Sequence, residues 1–406
     1  MIRHGVRPRL RRRAASRTTA SLALGAASLA AIALAGCGST SRASAVAPAA
    51  PAVATPLARS LDTPAGTWAT VAMGHLGQPL NTFWQLFFRP AATDRWSDQV
   101  QATAVATNGG LILAGGATET LVGIRPSNLL TFSPLISTSD AGRSWSTGLL
   151  PDGLASRPDA LSDDTAEGPR LALVGGHGQE QVLESTGDIS NWRPLAGLPS
   201  LVATAAGQAC GLEALSAVGD LAGRALLAGS CSRRGSIGLF TPSGDGWASP
   251  LGVPTGALSG DRIEVLSLES SGGEVRALLC SAGAGGLTLV ADTYSGARWY
   301  SSPPLFAGDG EHLVSIGGAD GGRMFVLLGT AAGFSHLAML DGARGQWQDL
   351  APPPARTATV AFGPGQTMQA LAVDEAVASV WRLALGSRSW SRTQVIHVPI
   401  EYGSSE

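Results

Sequence analysis

The residues able to do acid–base or covalent chemistry in this chain are few and mostly scattered. Asp159, Asp163, Asp164 and Glu167 crowd into nine residues ahead of an apolar run. Paired carboxylates can cleave glycosides, and a tight carboxylate group can hold calcium. Their spacing matches no calcium loop, however, and in an acidic chain the plainer account is a solvated loop. His75, His177, His312, His336 and His397 never recur at ligand spacing, and the cysteines have no neighbouring histidine cluster. No zinc site is expected from them. Gly109-Gly110 lacks the lysine and the helix of a phosphate-binding loop. These residues nominate no catalytic set, no metal and no cofactor.

The N-terminus carries an address. Arg3, Arg7, Arg9, Arg11, Arg12, Arg13 and Arg17 precede an alanine-rich apolar stretch that is too short for a typical membrane span. It ends in Leu34-Ala35-Gly36-Cys37, which resembles the lipobox of bacterial lipoprotein precursors. The resemblance implies a signal peptide over residues 1–36 and acylation of Cys37 as the mature N-terminus, with the protein held on the extracytoplasmic face of the cell membrane. Residues 37–65 are rich in Ala, Pro and Ser and read as a flexible tether. Seven of the 28 basic residues and none of the 30 acidic ones lie in the signal, so the mature chain is strongly acidic. That balance gives no electrostatic route to nucleic acid.

Over residues 66–403 the organisation is repetitive. Trp96, Trp145, Trp192, Trp247, Trp299, Trp347 and Trp390 recur about every 49 residues. Each interval holds short apolar runs of strand length, Gly-rich turns, the tryptophan, and in most units a proline five to seven residues later. Near-continuous apolarity, as in Met324-Phe325-Val326-Leu327-Leu328, predicts strands covered on both faces. The expectation is an all-β fold, a β-propeller of seven four-stranded blades, with six or eight also open and a pair of β-sandwiches as the weaker alternative. The first unit is short. Its innermost strand is expected to be missing or supplied by the other terminus, for which the run from Val395 to Ile400 offers material.

One unit holds a fuller motif. Thr138, Asp140, Gly142 and Trp145 fit the pattern Ser/Thr-x-Asp-x-Gly-x-x-Trp, which resembles the Asp-box, or BNR repeat, of sialidase-like propellers. The resemblance implies a structural role for these four residues, in the turn between the third and fourth strands of a blade. A sialidase also needs an arginine triad and a tyrosine nucleophile. Tyr294, Tyr300 and Tyr402 are poorly placed for that role, and Arg89-Pro90 only faintly echoes the family's arginine element. Sialidase activity is therefore not expected.

Cys210 and Cys231 bracket a hairpin about Gly219-Asp220-Leu221-Ala222, and export favours a disulfide between them, with two buried thiols as the alternative. Phe83, Trp84, Phe87 and Phe88 crowd into six residues followed by Arg89. Packing accounts for two of these rings. The excess suggests a surface that stacks on sugars or anchors a protein partner. The favoured function is a non-catalytic envelope scaffold that binds protein. The alternative is a glycan-binding protein or glycoside hydrolase of sialidase-like fold.

Overall fold

The computed structural model describes residues 57–399 except 76–80, 100–106, 108, 117, 126–133, 151–157, 164–168, 176–179, 186, 245, 251–254, 256–257, 259–261, 272–273, 284–285, 309, 320–321, 334 and 343. The signal, Cys37 and most of the tether lie outside the described residues. Among the described residues, no helix is long and apolar enough to cross a membrane.

In chain order the strands are β1 (Ala58–Thr63), β2 (Gly66–Gly74), β3 (Thr82–Pro90) and β4 (Ser97–Asp98); then β5 (Leu111–Gly115), β6 (Thr120–Ile124), β7 (Pro134–Thr138) and β8 (Ser146–Leu149). Next come β9 (Pro158–Ser162), β10 (Arg170–Val174), β11 (Gln181–Ser185) and β12 (Arg193–Gly197), followed by helices α1 (Leu198–Val202) and α2 (Ala205–Cys210). The chain continues with β13 (Leu212–Leu221), β14 (Arg224–Cys231), β15 (Ile237–Ser243) and β16 (Gly246–Ala248). Then follow β17 (Ile263–Ser271), β18 (Glu274–Gly283), β19 (Gly286–Ser295), β20 (Arg298–Ser301) and the two-residue β21 (Leu305–Phe306). The last strands are β22 (Glu311–Ala319), β23 (Arg323–Thr330), β24 (Ser335–Leu340), β25 (Trp347–Asp349), β26 (Thr357–Gly363), β27 (Thr367–Asp374), β28 (Val377–Ala384) and β29 (Ser391–His397). Apart from β21, they fall into consecutive four-stranded antiparallel meanders. The result is an all-β fold of repeated sheets in a propeller-like arrangement. The two short helices escaped the strand grammar. Pro199 in the first turn of α1 and the Thr204 cap on α2, whose hydroxyl accepts from Gly207 N at 3.0 Å, make them local structures.

The recurrent tryptophans explain how the sheets cohere. Trp145 packs on the apolar cluster between the first and second meanders, and Trp192 joins the one between the second and third. Trp247, Trp299, Trp347 and Trp390 each pack on the cluster between their own meander and the one before. Trp96 belongs to the cluster that joins the first meander to the last. The ring nitrogens reinforce this order: Trp347 Nε1 donates to Pro303 O and Trp390 Nε1 to Ala351 O, each 3.0 Å away on the preceding unit's exit.

Two expectations about the ends need correction. Strand β1 lies in the stretch whose composition reads as tether, and it supplies the innermost strand of the first meander. The run after Trp390 instead forms β29, the outermost strand of the last. Strand β1 pairs with β2 and also, in parallel, with β22, where Ala58 to Leu61 face Ser315 to Gly318. Two partner strands meet the entropy of ordering that a tether of this composition could not. The approach to β22 requires glycine: a Cβ at Gly317 would sit 2.3 Å from Ser60 Oγ.

The Cys210–Cys231 disulfide is present, with Cα atoms 5.5 Å apart. Its register differs from the expected hairpin, because Cys210 ends α2 and Leu212 is the residue opposite Cys231. Gly211, at φ 70°, turns the helix end back toward β14, and Ser232 N donates to Gly211 O at 2.8 Å. Cys280 is a buried free thiol, pushed by burial to a pKa of about 12 and so kept unreactive.

Candidate functional site

The Asp-box occupies the turn from β7 to β8. Thr138 Oγ1 donates to Asp140 Oδ1 and accepts from Gly142 N, both at 2.9 Å. Asp140 in turn accepts from Ser144 N at 2.9 Å and Ser144 Oγ at 2.6 Å. The hydrogen bonds from Ser144, followed by that from Thr138, hold the Asp140 carboxyl down at about 2. Gly142, at φ 83°, closes the turn, and the Trp145 ring meets Trp68 edge-on at 5.7 Å. Every group in the motif is spent on shaping this loop.

The aromatic stretch on β3 is interior, so the expected sugar or partner surface is not there. Trp84 and Phe88 face the second meander, while Phe83 and Phe87 face the last. Phe83 is partly buried and the other three rings are buried. A sheet covered on both sides buries both alternating sets, which accounts for all four rings rather than two. Arg89, 5% exposed, donates to Thr67 Oγ1 at 2.5 Å, Phe362 O at 3.1 Å and Thr93 O at 3.2 Å, and its guanidinium lies 5.7 Å from the Trp96 ring centre. Burial lowers its pKa, opposed by Asp62 and Asp94. It is a seam residue between the first and last meanders.

The acidic cluster is divided by the fold. Asp163, its side chain fully buried, is held by Arg170 Nε at 3.2 Å, and the same guanidinium bonds Glu119 of the second meander. Asp159, at the other end of β9, pairs with Arg125 at 3.1 Å. Asp164 and Glu167 lie outside the described residues. Neither a solvated loop nor a calcium site describes Asp159 and Asp163, and no group of metal-binding side chains forms among the described residues.

Asp159 leads to a cavity lined by charged and polar groups. The first strands of successive meanders, β1, β5, β9, β13, β17 and β22, surround a space of about 100 Å³. Arg59 from β1 and Arg125, just beyond β6, reach it. Each guanidinium is matched by a carboxylate, Arg59 with Glu269 at 3.0 Å and Arg125 with Asp159, so the wall is formally neutral. Ser216 and Ser267 border it too, but their hydroxyl oxygens are buried out of reach of the space and have no hydrogen-bond partner among the described residues. A register shift brackets Ser216 between Leu215 and Ala217, and another lies between Val265 and Ser267. Such bulges re-aim side chains at ring interiors. Except for Asp159, these residues were not nominated from sequence. The usable signal was a serine interrupting the apolar runs of β13 and β17.

No protein-family model and no curated protein matches the chain. Solved structures do share its architecture. A protein from Lactobacillus plantarum is 11% identical with a TM-score of 0.50, the match covering 82% of this chain and 96% of that one. The β-propeller domain of the Trilobed protease from Pyrococcus furiosus is 8% identical with a TM-score of 0.48, covering 83% and 97%. The likeness spans unrelated proteins and does not single out the sialidases. What this chain shares with them is a β-rich, propeller-like fold.

Proposed function

We propose that the described domain is a closed seven-bladed propeller that binds glycan through its central cavity without cleaving it, and that Cys37 anchors it to the outer face of the cell membrane. Closure is supported by the cluster that joins the last meander to the first through Trp96. The observation that carries the binding reading is the cavity wall. It offers arginine donors and carboxylate acceptors in neutral balance. A ligand rich in hydroxyls and without net charge matches such a wall. Cleavage is disfavoured because Asp159 and Glu269 are each engaged by an arginine, leaving no free acid and nucleophile pair across the cavity among the described residues.

Glycan-array screening of the full-length protein in detergent should return hits that weaken in Arg59→Ala. A clean array would sink the glycan reading. The scaffold reading keeps one observation in its favour, the 69% exposed Phe306 on β21. Crosslinking in cells that recovers one stoichiometric protein through Phe306, with a clean array, would establish the scaffold instead. For the anchor, Cys37→Ser should move the protein from the membrane to the soluble fraction and abolish lipid labelling, since stable attachment needs the acyl chains. Unchanged membrane retention of that variant would refute it.

A further inference from the structure

We infer that the rim of the domain at which the chain enters β1 rests on the surface of the lipid bilayer. This builds on the lipid-anchor reading and says which way the anchored domain faces. The described chain begins at Leu57, which lines the cavity ringed by the first strands of the meanders, so the tether leaves from the middle of that rim. Residues 38–56 separate Cys37 from Leu57, and a coil of about 19 residues reaches roughly 25 Å, which keeps this rim near the acylated end.

The large apolar side chains exposed among the described residues gather at the same rim. In each antiparallel meander the first and third strands start there, and the second and fourth end there. Phe306, 69% exposed, lies on β21 opposite Thr288, near the start of β19. Val202 ends α1, in the link from β12 to β13. Leu149 ends β8 opposite Pro134, the first residue of β7, and Val395 lies near the matching end of β29. The opposite rim, which carries the Asp-box turn, exposes no large apolar side chain among the described residues. These four come from different meanders around the ring and form no single patch, which suits a flat apolar boundary better than a compact protein partner. Arg233 and Arg234 stand exposed in the β14–β15 turn of this rim, where they can meet lipid phosphates. Its Arg262 and Arg356 are already matched by Glu213 and Asp374. Contacts of this kind add little to the hold of several acyl chains. Their effect is to fix orientation, with the Asp-box rim outward.

The experiment uses full-length protein in vesicles of phosphatidylcholine with a minor fraction of phosphatidylglycerol and a spin-labelled lipid that quenches fluorescence. A thiol-reactive dye is placed at Phe306→Cys or Val202→Cys on this rim, and at Arg298→Cys or Arg388→Cys on the opposite one. Cys280 is buried and Cys210 is bonded to Cys231, so the dye goes to the introduced thiol. The first two dyes should be quenched several-fold more than the last two. Adding Phe306→Asp and Val202→Asp to Leu149→Cys should lower quenching of its dye roughly twofold, with lipid labelling and membrane retention unchanged. Equal quenching on the two rims, with lipid labelling intact, would overturn the orientation and leave the anchor standing. A stoichiometric protein crosslinked at Phe306 in cells, with no quenching there in vesicles, would overturn it in favour of a protein partner. If the wild-type chain takes up no lipid label, the anchor reading falls and this inference falls with it.

Discussion

Asp292→Asn should make the protein more stable at pH 8 and leave it nearly unchanged at pH 4. Asp292 sits in the middle of β19 with no solvent exposure. Ser301 Oγ donates to its Oδ1 at 2.5 Å, and Oδ2 has no partner among the described residues. Burial raises the carboxyl from an ordinary 3.8 to about 7, with the Ser301 hydrogen bond pulling weakly the other way. Between those two values the unfolded chain has released the proton and the folded chain still holds it. Stability therefore falls as pH rises from about 4 to about 7, then levels off. A shift of about three units corresponds to roughly 4 kcal/mol, an order-of-magnitude figure. Asparagine keeps the shape and the acceptor for Ser301 but cannot ionise. Thermal unfolding of both proteins from pH 4 to pH 8 isolates this group by difference. Parallel curves would show that Asp292 titrates as an ordinary aspartate.

The second large effect lies at the seam between the first and last meanders. Trp96 is 3% exposed, and its ring nitrogen donates to Gln369 Oε1 at 2.9 Å. Its backbone is clasped by Gln394, which accepts from Trp96 N at 3.0 Å and donates to Trp96 O at 2.7 Å. Among the described residues, one backbone bridge, Gly74 with Glu375, links β2 to the last meander. Side chains therefore carry most of that junction. Trp96→Ala should cost about 3–5 kcal/mol, through lost packing and a Gln369 carbonyl left unpaired. That corresponds to a fall in Tm of roughly 4–7 °C for a domain of this size. Trp347 occupies the equivalent place in its own meander but is only partly buried. Its alanine variant should lose less than about 2 kcal/mol. Equal losses at Trp96 and Trp347 would mean that the seam bears no special load.

The aromatic run on β3 shows where local reading stops. From sequence, four rings in six residues looked like an excess over one buried face. Once neighbouring meanders cover both faces, alternation sends Trp84 and Phe88 one way and Phe83 and Phe87 the other, and the excess disappears. The acidic cluster teaches the same lesson in reverse. Asp159 and Asp163 are close in sequence, yet they stand at opposite ends of β9 and meet different arginines.

Some properties needed only the chain itself. Strand length, turn composition and a tryptophan about every 49 residues are local or periodic, so the repeated sheets and the Asp-box turn were legible in them. The Cys210–Cys231 bond was legible too, because a short hairpin brings its ends together in almost any register. The candidate site was not. Arg59, Arg125, Ser216 and Ser267 come from separate meanders, with Glu269 beside Ser267 on β17, and they are spread over more than two hundred residues. Only the packing of those meanders around one cavity decides that they meet, and only burial decides which hydroxyls lack a partner.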